Sequence, residues 1–466
     1  MRRRTKIVCT LGPAVQSREQ VRDLIQAGMN VARLNCSHGD WETRRSFAAW
    51  VRELSPELAP IGLLVDLQGP KFRLGMLPPE GLALEAGQTV TVGQGPDAQV
   101  PIHQPEVLDT LCEGCRLLLG DGEVELKIVG NQGDLFLARS ATAGIVRSRK
   151  GVTVVGKRFS VPALTDRDRA DIRTAAEIGA DFIALSYVHS AEDIEELRRE
   201  VGLHDRGIRL CAKIETRDAV RSIDDIIQAS DLVMVARGDM GLQMEIEEVP
   251  MAQKRIIERC TRAGVPVITA TQMLESMVVN PRPTRAEATD VFNAVLDGTD
   301  AVMLSAETAA GAHPVEAVRY MSRIAERAES QFDHHAAMEL APDGAPHQTE
   351  AVAHAAARLA HDIRAKAIVS TSTSGQTPRL VSKFRPRAPI LCATWSEKTY
   401  RQMSCVWGVE SLMIPPPATT DEIVQHALIG FQRCKRLKQG DPVVVTAGVP
   451  AGTPGNTNLV LTQVVK

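Results

Sequence analysis

An α/β protein built around a closed eight-stranded barrel is what the sequence predicts, with a small all-β domain inserted into the barrel and an open α/β domain after it. Three observations lead there. Short β-branched runs recur over the first two-thirds of the 466 residues, and helical patterns fall between most of them. That alternation is the signature of βαβ units and a parallel sheet. There are eight such runs, the number that closes a barrel of this kind. One interval, between Leu67 and Phe182, is far too long for a single βα unit and has a different texture.

The runs are KIVCT at 6–10, VARLN at 31–35, GLLVDL at 62–67, FIALS at 182–186, LCAKIE at 210–215, LVMVAR at 232–237, VPVITAT at 265–271 and AVMLSA at 301–306. Helical periodicity marks 17–28, 168–179 and 192–202 among the connections. Residues 1–71 and 159–340 therefore form the two parts of a TIM (β/α)8 barrel. Residues 72–158 carry regular Gly and Pro punctuation between the strand-like runs TVTVG, RLLLG and VELKIVG, which predicts a small inserted β-barrel domain. It leaves after the third strand, so it hangs over the face where the strand C-termini meet and reads as a lid. After the loose stretch LAPDGAPHQ the pattern restarts with a helix at 349–363 and the strands KAIVST, PILCAT, VESLMI and VVVTA. Residues 341–466 are expected to be an open α/β domain with its own core.

Composition narrows the function. A net charge of −3 and 3% aromatic residues leave no polyanion footprint and no base-stacking surface, so nucleic acid is not an expected partner. No apolar run approaches the length of a membrane span. The start, MRRRTKIVCT, reads as a first strand rather than a signal peptide. The nine cysteines are odd in number and lie mostly in strand or helix patterns (Cys9, Cys211, Cys260, Cys392), which suggests reduced thiols and a cytoplasmic location. Cys112 and Cys115 form one CxxC, but a zinc site wants a second pair or a matching histidine pair, and the spacing reads as incidental.

Chemistry concentrates where apolar strands end in charge. CAKIE delivers Lys213 and Glu215, and VARGD delivers Arg237 and Asp239. Catalytic residues of α/β barrels come from the C-terminal ends of several strands. Two carboxylates at neighbouring strand ends make a hard-oxygen site suited to Mg²⁺ with room for water and phosphate. The lysine and arginine beside them suit an anionic, phosphorylated ligand. The other strand ends add Arg33, Asn35, Ser37 and His38; Asp66, Lys71 and Arg73; Thr271; and Ser305 and Glu307. Thr271 and Ser305 are equally readable as helix caps, Arg73 as a bridge across the lid hinge, and His38 as a satisfied buried histidine. In the C-terminal domain, STSTSGQT at 370–377 places hydroxyls and a glycine before a helix. It reads as a phosphate cradle or as a capped helix start.

With TKIVCTLGP, ATQMLESM, NPRPTRAEA and DGTDAVMLS also present, the chain resembles the pyruvate kinase family over essentially its whole length. The resemblance implies phosphoryl transfer from phosphoenolpyruvate to ADP, giving pyruvate and ATP in glycolysis. It implies Glu215 and Asp239 as ligands of Mg²⁺ or Mn²⁺. Lys213, Arg33 and Arg73 would lie on the transferring phosphoryl group, and the Gly238 and Asp239 amides on the substrate carboxylate. Thr271 and Ser305 would stand near the enolate carbon that must be protonated. Asn35, His38 and Arg167 fall in the family's ADP pocket, Arg167 where a lysine is common, and Asp121 matches a lid aspartate. Ser372, Thr373, Ser374, Gly375 and Thr377 occupy the family's effector-phosphate loop. Thr373 replaces a lysine seen in some fructose-bisphosphate-activated members, so the expected effector is a monophosphate, a sugar phosphate or nucleotide monophosphate. A homotetramer is implied as well.

The sequence departs from the family at several points. Thr216 stands for Asn, His189 for Arg, Ala306 for Gly, Ala310 for Lys and Cys36 for Phe. None of these removes an expected metal ligand or the phosphoryl lysine. DLQGPKFR replaces the family's DTKGPEIR, so Leu67 loses a K⁺-ligating hydroxyl and Lys71 replaces a Glu. This matches the branch that needs no K⁺, with Lys71 in the cation's stead. Two further readings are a catalytically weak, metabolite-binding homologue and a barrel lyase using the same Mg²⁺-enolate site.

Overall fold

The computed structural model describes residues 3–120, 122–157, 161–339, 347–416, 419–448 and 457–466. The expected boundaries at 158/159 and 340/341, Asp121, and most of the Gly/Thr/Asn-rich stretch before Asn458 lie outside the described residues.

Eight strands close the barrel: β1 (Lys6–Thr10), β2 (Val31–Asn35), β3 (Gly62–Asp66), β4 (Phe182–Leu185), β5 (Arg209–Ile214), β6 (Leu232–Ala236), β7 (Val267–Ala270) and β8 (Ala301–Leu304). All neighbours are parallel, with β1 paired to both β2 and β8. A strand alternates its side chains between two faces. Val8, Val31, Leu64, Phe182, Ala184, Cys211, Leu232, Met234, Ile268, Ala270, Ala301 and Met303 form one core cluster inside the barrel. Their neighbours Ile7, Leu63, Val65, Ile183, Val233 and Val235 belong to a second cluster, between strands and helices. The same parity, carried to the strand C-termini, assigns Thr10, Arg33, Asp66, Lys213 and Glu215 to the interior face. Strand register brings Thr10 beside Arg33, and Asn35 beside Asp66.

Local chemistry sets the connections. Thr165 opens the helix Asp166–Glu177 with a capping box closed by Asp168. The other oxygen of Asp168 accepts the Gly69 amide at 3.1 Å, so this helix start also pins the segment that runs into the lid. Thr284 and Glu287 form a second capping box at Arg285–Leu296. Glu287 also accepts the Ser276 amide at 2.7 Å and its hydroxyl at 2.6 Å. The family-specific segments ATQMLESM and NPRPTRAEA are thereby tied together.

The insertion is strand-rich. Six strands lie in the order Val152–Val154, Arg116–Leu119, Val124–Gln132, Leu135–Ser140, Thr89–Gly93, Val100–Pro101. A separate antiparallel pair, Leu82–Leu84 with Gly144–Val146, packs on the same core. The lid meets the barrel through Arg116, whose guanidinium lies 2.9 Å from Glu245.

The C-terminal domain has four parallel strands, β9 (Ala367–Thr371), β10 (Ile390–Thr394), β11 (Val409–Met413) and β12 (Pro442–Gly448). A fifth, β13 (Thr457–Val464), pairs antiparallel with β12 at the sheet edge and was not expected from the sequence. This domain seats on the barrel's N-terminal end. Arg385 donates to Asp300, just before β8, at 2.9 Å, and Arg401 to Asp181, just before β4, at 2.8 Å. The Lys6 ammonium reaches the Val409 carbonyl at 2.6 Å, and Cys405 joins the barrel's interior cluster from below.

Candidate active site

At the opposite, C-terminal mouth the inward parity assembles a buried chain of alternating charge. Arg33 lies 2.7 Å from one oxygen of Asp66 and donates to Thr10 Oγ1 at 2.9 Å. The other Asp66 oxygen is 3.2 Å from the Lys213 ammonium, which is also 2.8 Å from Glu215 and donates to Ser186 Oγ at 2.6 Å. The Tyr187 amide donates to the second Glu215 oxygen at 2.7 Å. Tyr187 has φ +57°, a left-handed conformation in a residue with a bulky side chain, of the kind that clusters at functional sites.

Burial works against every charge here, and the partners decide the outcome. For Asp66, burial raises the carboxyl, but Lys213 and Arg33 more than offset it and hold it below its ordinary value. For Lys213, burial lowers the ammonium, yet Asp66 and Glu215 hold it well above its ordinary value. Glu215 is pushed up, first by burial and then by the Asp239 charge, with Lys213 opposing. Two fixed cations therefore share one carboxylate, and Glu215 is a buried acid still short of positive charge.

Asp239 enters from the short helix Arg237–Gln243 that follows β6. Lys71, from the segment entering the lid, places its ammonium 3.7 Å from Asp239. Glu215 and Asp239 fit a divalent cation. The Asp239 charge pushes the Glu215 carboxyl up, and a cation between them would offset that repulsion. Among the described residues no group of three or more His, Cys, Asp or Glu is arranged to hold a metal, so further oxygens would have to come from substrate and water.

Thr271 follows β7 with φ +66°. Its hydroxyl accepts the Gly238 amide at 2.8 Å and donates to the Ala270 carbonyl at 2.7 Å, so it caps no following helix. Arg237 does not face the ligand space. It donates to the Thr271 carbonyl at 2.7 Å and to Asp290 at 2.7 Å, which makes it a clamp on the Thr271 turn. The sequence reading, which set it beside Asp239 for a phosphorylated ligand, is corrected here. Ser305 presents a buried hydroxyl with no partner among the described residues, and its amide donates to Glu307 at 2.6 Å. Glu307 also accepts the Leu274 amide at 3.0 Å and so joins the ends of β7 and β8.

The remaining expected residues of the barrel lie around the rim, and those of the effector loop lie at the barrel's other end. Arg73 donates to the Arg149 carbonyl at 3.0 Å and spans the lid hinge in this geometry. Asn35 accepts the Ser37 amide at 3.0 Å, and Arg167 donates to the Cys36 carbonyl at 2.8 Å. His38 is exposed rather than buried, because it sits in the open turn that leads to Gly39 and Asp40. The protein mass on one side of the ring strips part of its hydration, and this, then the charges of Arg73, Lys71 and Arg33, holds its pKa below the ordinary value. Thr216 caps the helix Arg217–Arg221 through the Ala219 amide at 3.1 Å. In the C-terminal loop, Ser372 Oγ accepts the Gly375 amide at 2.9 Å and Gly375 has φ +77°. Thr377 bonds Thr457, Thr373 accepts from Thr399, and the Ser374 carbonyl accepts from Arg209 at 3.1 Å.

Two contributors escaped sequence reading, and a third was read without its role. Asp66 was visible as a strand-end acid, but its role as common counterion depends on three strands meeting. Ser186 and the Tyr187 amide carried no signal beyond standing at the end of β4.

The family profile described as "Pyruvate kinase, barrel domain" matches residues 2–318, and "Pyruvate kinase, alpha/beta domain" matches residues 350–462. The chain is 42% identical to a pyruvate kinase of Geobacillus stearothermophilus over 100% of this chain and 81% of that one. It is 41% identical to pyruvate kinase 2 of Synechocystis sp. over 100% and 80% of the two chains. It is 41% identical to a pyruvate kinase of Corynebacterium glutamicum over 99% and 97%. Barrel, lid, C-terminal domain and whole-length similarity agree, and the chain belongs to the pyruvate kinase family of phosphotransferases.

Proposed function

We propose that this protein transfers the phosphoryl group of phosphoenolpyruvate to ADP, with Mg²⁺ or Mn²⁺, as the pyruvate-forming step of glycolysis in the cytoplasm. The observation that carries the reading is the buried chain Arg33–Asp66–Lys213–Glu215 at the barrel mouth. Phosphoryl transfer is largely positioning and charge neutralisation. Asp66 fixes both Lys213 and Arg33 and holds Lys213 charged, which preorganises them for a polyanionic transition state. Lys71 adds a third positive charge and Arg73 a fourth from the lid side. What a cation between Glu215 and Asp239 supplies when bound is Lewis-acid stabilisation of the enolate charge.

A substrate carboxylate arriving at the Gly238 and Asp239 amides would displace Thr271 Oγ1 from Gly238. That frees the Thr271 hydroxyl, and with the Ser305 hydroxyl, which has no partner among the described residues, it can order a water that protonates the enolate carbon. Asn35, His38 and Arg167 line the rim where ADP would lie. The loop at 372–377 would take the phosphate of a phosphorylated metabolite, and the family resemblance supports a homotetramer. With Lys71 in the site, K⁺ is not required. No described helix is long and apolar enough to cross a membrane.

A lactate-dehydrogenase-coupled assay with phosphoenolpyruvate, ADP and Mg²⁺ tests the reading. Turnover dependent on all three is expected. Absent turnover with intact metabolite binding would replace it with a binding role, and decarboxylation of a 2-oxo diacid without nucleotide would replace it with a lyase.

A further inference from the structure

The lid carries a feature that phosphoryl transfer does not use. Cys112 and Cys115 bring their sulfurs to 2.9 Å across a tight turn, Cys112 exposed and Cys115 buried in the lid core. Gly114 takes φ +88°, and the Cys115 amide donates to the Cys112 carbonyl at 3.0 Å, which closes a four-residue turn with the glycine at its third position. Neighbouring backbone fixes that turn. The Gly114 amide donates to the Ile128 carbonyl and the Ile128 amide to the Cys115 carbonyl, each at 2.9 Å. The remaining cysteines are buried apart from Cys434.

The turn's position gives it a route to the active site. Cys115 directly precedes Arg116, the lid residue paired with Glu245 of the barrel at 2.9 Å. The Arg116 carbonyl accepts the Val155 amide at 3.0 Å, in the turn that follows the strand Val152–Val154 on the chain's way back to the barrel. One peptide unit thus connects the thiol turn both to the lid–barrel ion pair and to the returning strand.

We propose that Cys112 and Cys115 are a reversible dithiol–disulfide couple on the lid, and that its oxidation state sets how the lid meets the barrel. The oxidant class is a hydroperoxide. The exposed Cys112 thiolate attacks one peroxide oxygen; the O–O bond breaks, water leaves, and Cys112 becomes the sulfenic acid. Cys115 then attacks the Cys112 sulfur and expels a second water as the S–S bond forms. Two thiols lose two electrons and two protons, and one hydrogen peroxide becomes two waters. Burial raises the Cys115 thiol, followed by its contact with Cys112, so the exposed Cys112 and not Cys115 is the thiol that meets the peroxide. A small-molecule dithiol reverses the reaction by exchange.

The test uses the full-length protein and Cys112→Ser. Reduced wild type should bind one phenylarsine oxide, a reagent for neighbouring thiols, and the variant none. Hydrogen peroxide should lower the intact mass by about 2 Da, with the cross-link mapped to Cys112–Cys115 and removed by dithiothreitol. Oxidised wild type should show altered hydrogen exchange at 116–119 and 152–157, and KM for ADP or phosphoenolpyruvate shifted about fivefold or more, within ordinary coupling energies. Cys112→Ser should show neither change. Peroxide consumed at Cys434 while the 112–115 thiols persist would overturn the couple. A mapped disulfide with unchanged exchange and unchanged KM would overturn its action on the lid. Because mass, arsenical binding and exchange need no turnover, they stand or fall separately from the proposed reaction.

Discussion

Replacing Lys71 by methionine removes a unit charge 3.7 Å from the Asp239 carboxylate while keeping most of the side-chain volume. The two side chains are 27% and 29% exposed, so the pair is neither dry nor fully solvated. At that distance Coulomb's law gives about 1 kcal/mol at the dielectric of water and about 4.5 kcal/mol at an effective value near 20. A substrate phosphate at a comparable distance from the ammonium would lose a middle figure of ~2 kcal/mol, which is roughly 30-fold in kcat/KM. The measurement is initial rate against phosphoenolpyruvate for wild type and Lys71→Met, in tetramethylammonium and in K⁺ buffers of equal ionic strength. Wild type should run at similar rates in both, and the variant should lose its kcat/KM in both. Lys71→Glu should lose more and regain part of its rate in K⁺, the rescue being limited by Leu67. A many-fold K⁺ activation of wild type, or a Lys71→Met enzyme of unchanged kcat/KM, would refute the substitution of this ammonium for a bound cation.

Other perturbations read other parts of the site. Glu215→Gln should lower turnover by on the order of 10²–10³ across a Mg²⁺ titration, and near-normal turnover at modest Mg²⁺ would remove Glu215 from the metal site. Lys213→Met should lower kcat far more than it raises KM, while proton exchange at the pyruvate methyl group survives; a pure KM effect would contradict its place on the phosphoryl group. Asp66→Asn strands two buried cations and should cost about 3–5 kcal/mol in urea denaturation. Because Asp66 is held below its ordinary value, its stabilisation is present above about pH 3.9 and is lost as pH falls through the lower folded value. The wild-type advantage over Asp66→Asn should therefore shrink only in strong acid. Phosphorylated metabolites screened at sub-saturating phosphoenolpyruvate should include one whose effect weakens in Ser374→Ala; silence from all of them would count against the effector loop.

The barrel was legible because each of its strands is a short β-branched run, and because two-residue alternation then dictates which side chains face inward. Arg33, Lys213 and Glu215 follow from that rule alone. What the rule cannot supply is register between strands distant in sequence, and Asp66 acquires its two partners only through that register. Arg237 shows the same limit from the other side. Two residues from Asp239 in sequence, it was read as a ligand group, yet its hydrogen-bond partners lie beyond β7 on Thr271 and Asp290. The exposed His38 was misjudged because one turn glycine decides its surroundings. Strand β13 was missed because it follows a Gly/Pro-rich stretch and forms the sheet edge, where burial patterning is weak.

The seat of the C-terminal domain carries a consequence for how the molecule can be divided. Asp181 and Asp300 stand at the foot of the barrel with side chains 0% and 5% exposed, and the arginines that reach them from beyond the barrel, Arg401 and Arg385, belong to the C-terminal domain. Cys405 fills the lowest layer of the barrel interior as a plug fills a drain. An excised barrel would open that layer to water and lose those guanidinium partners. The barrel is therefore a vessel with one mouth, and its bottom is made of another domain. The 372–377 loop touches that foot directly, since its Ser374 carbonyl accepts from Arg209 at the start of β5, the strand whose other end carries Lys213.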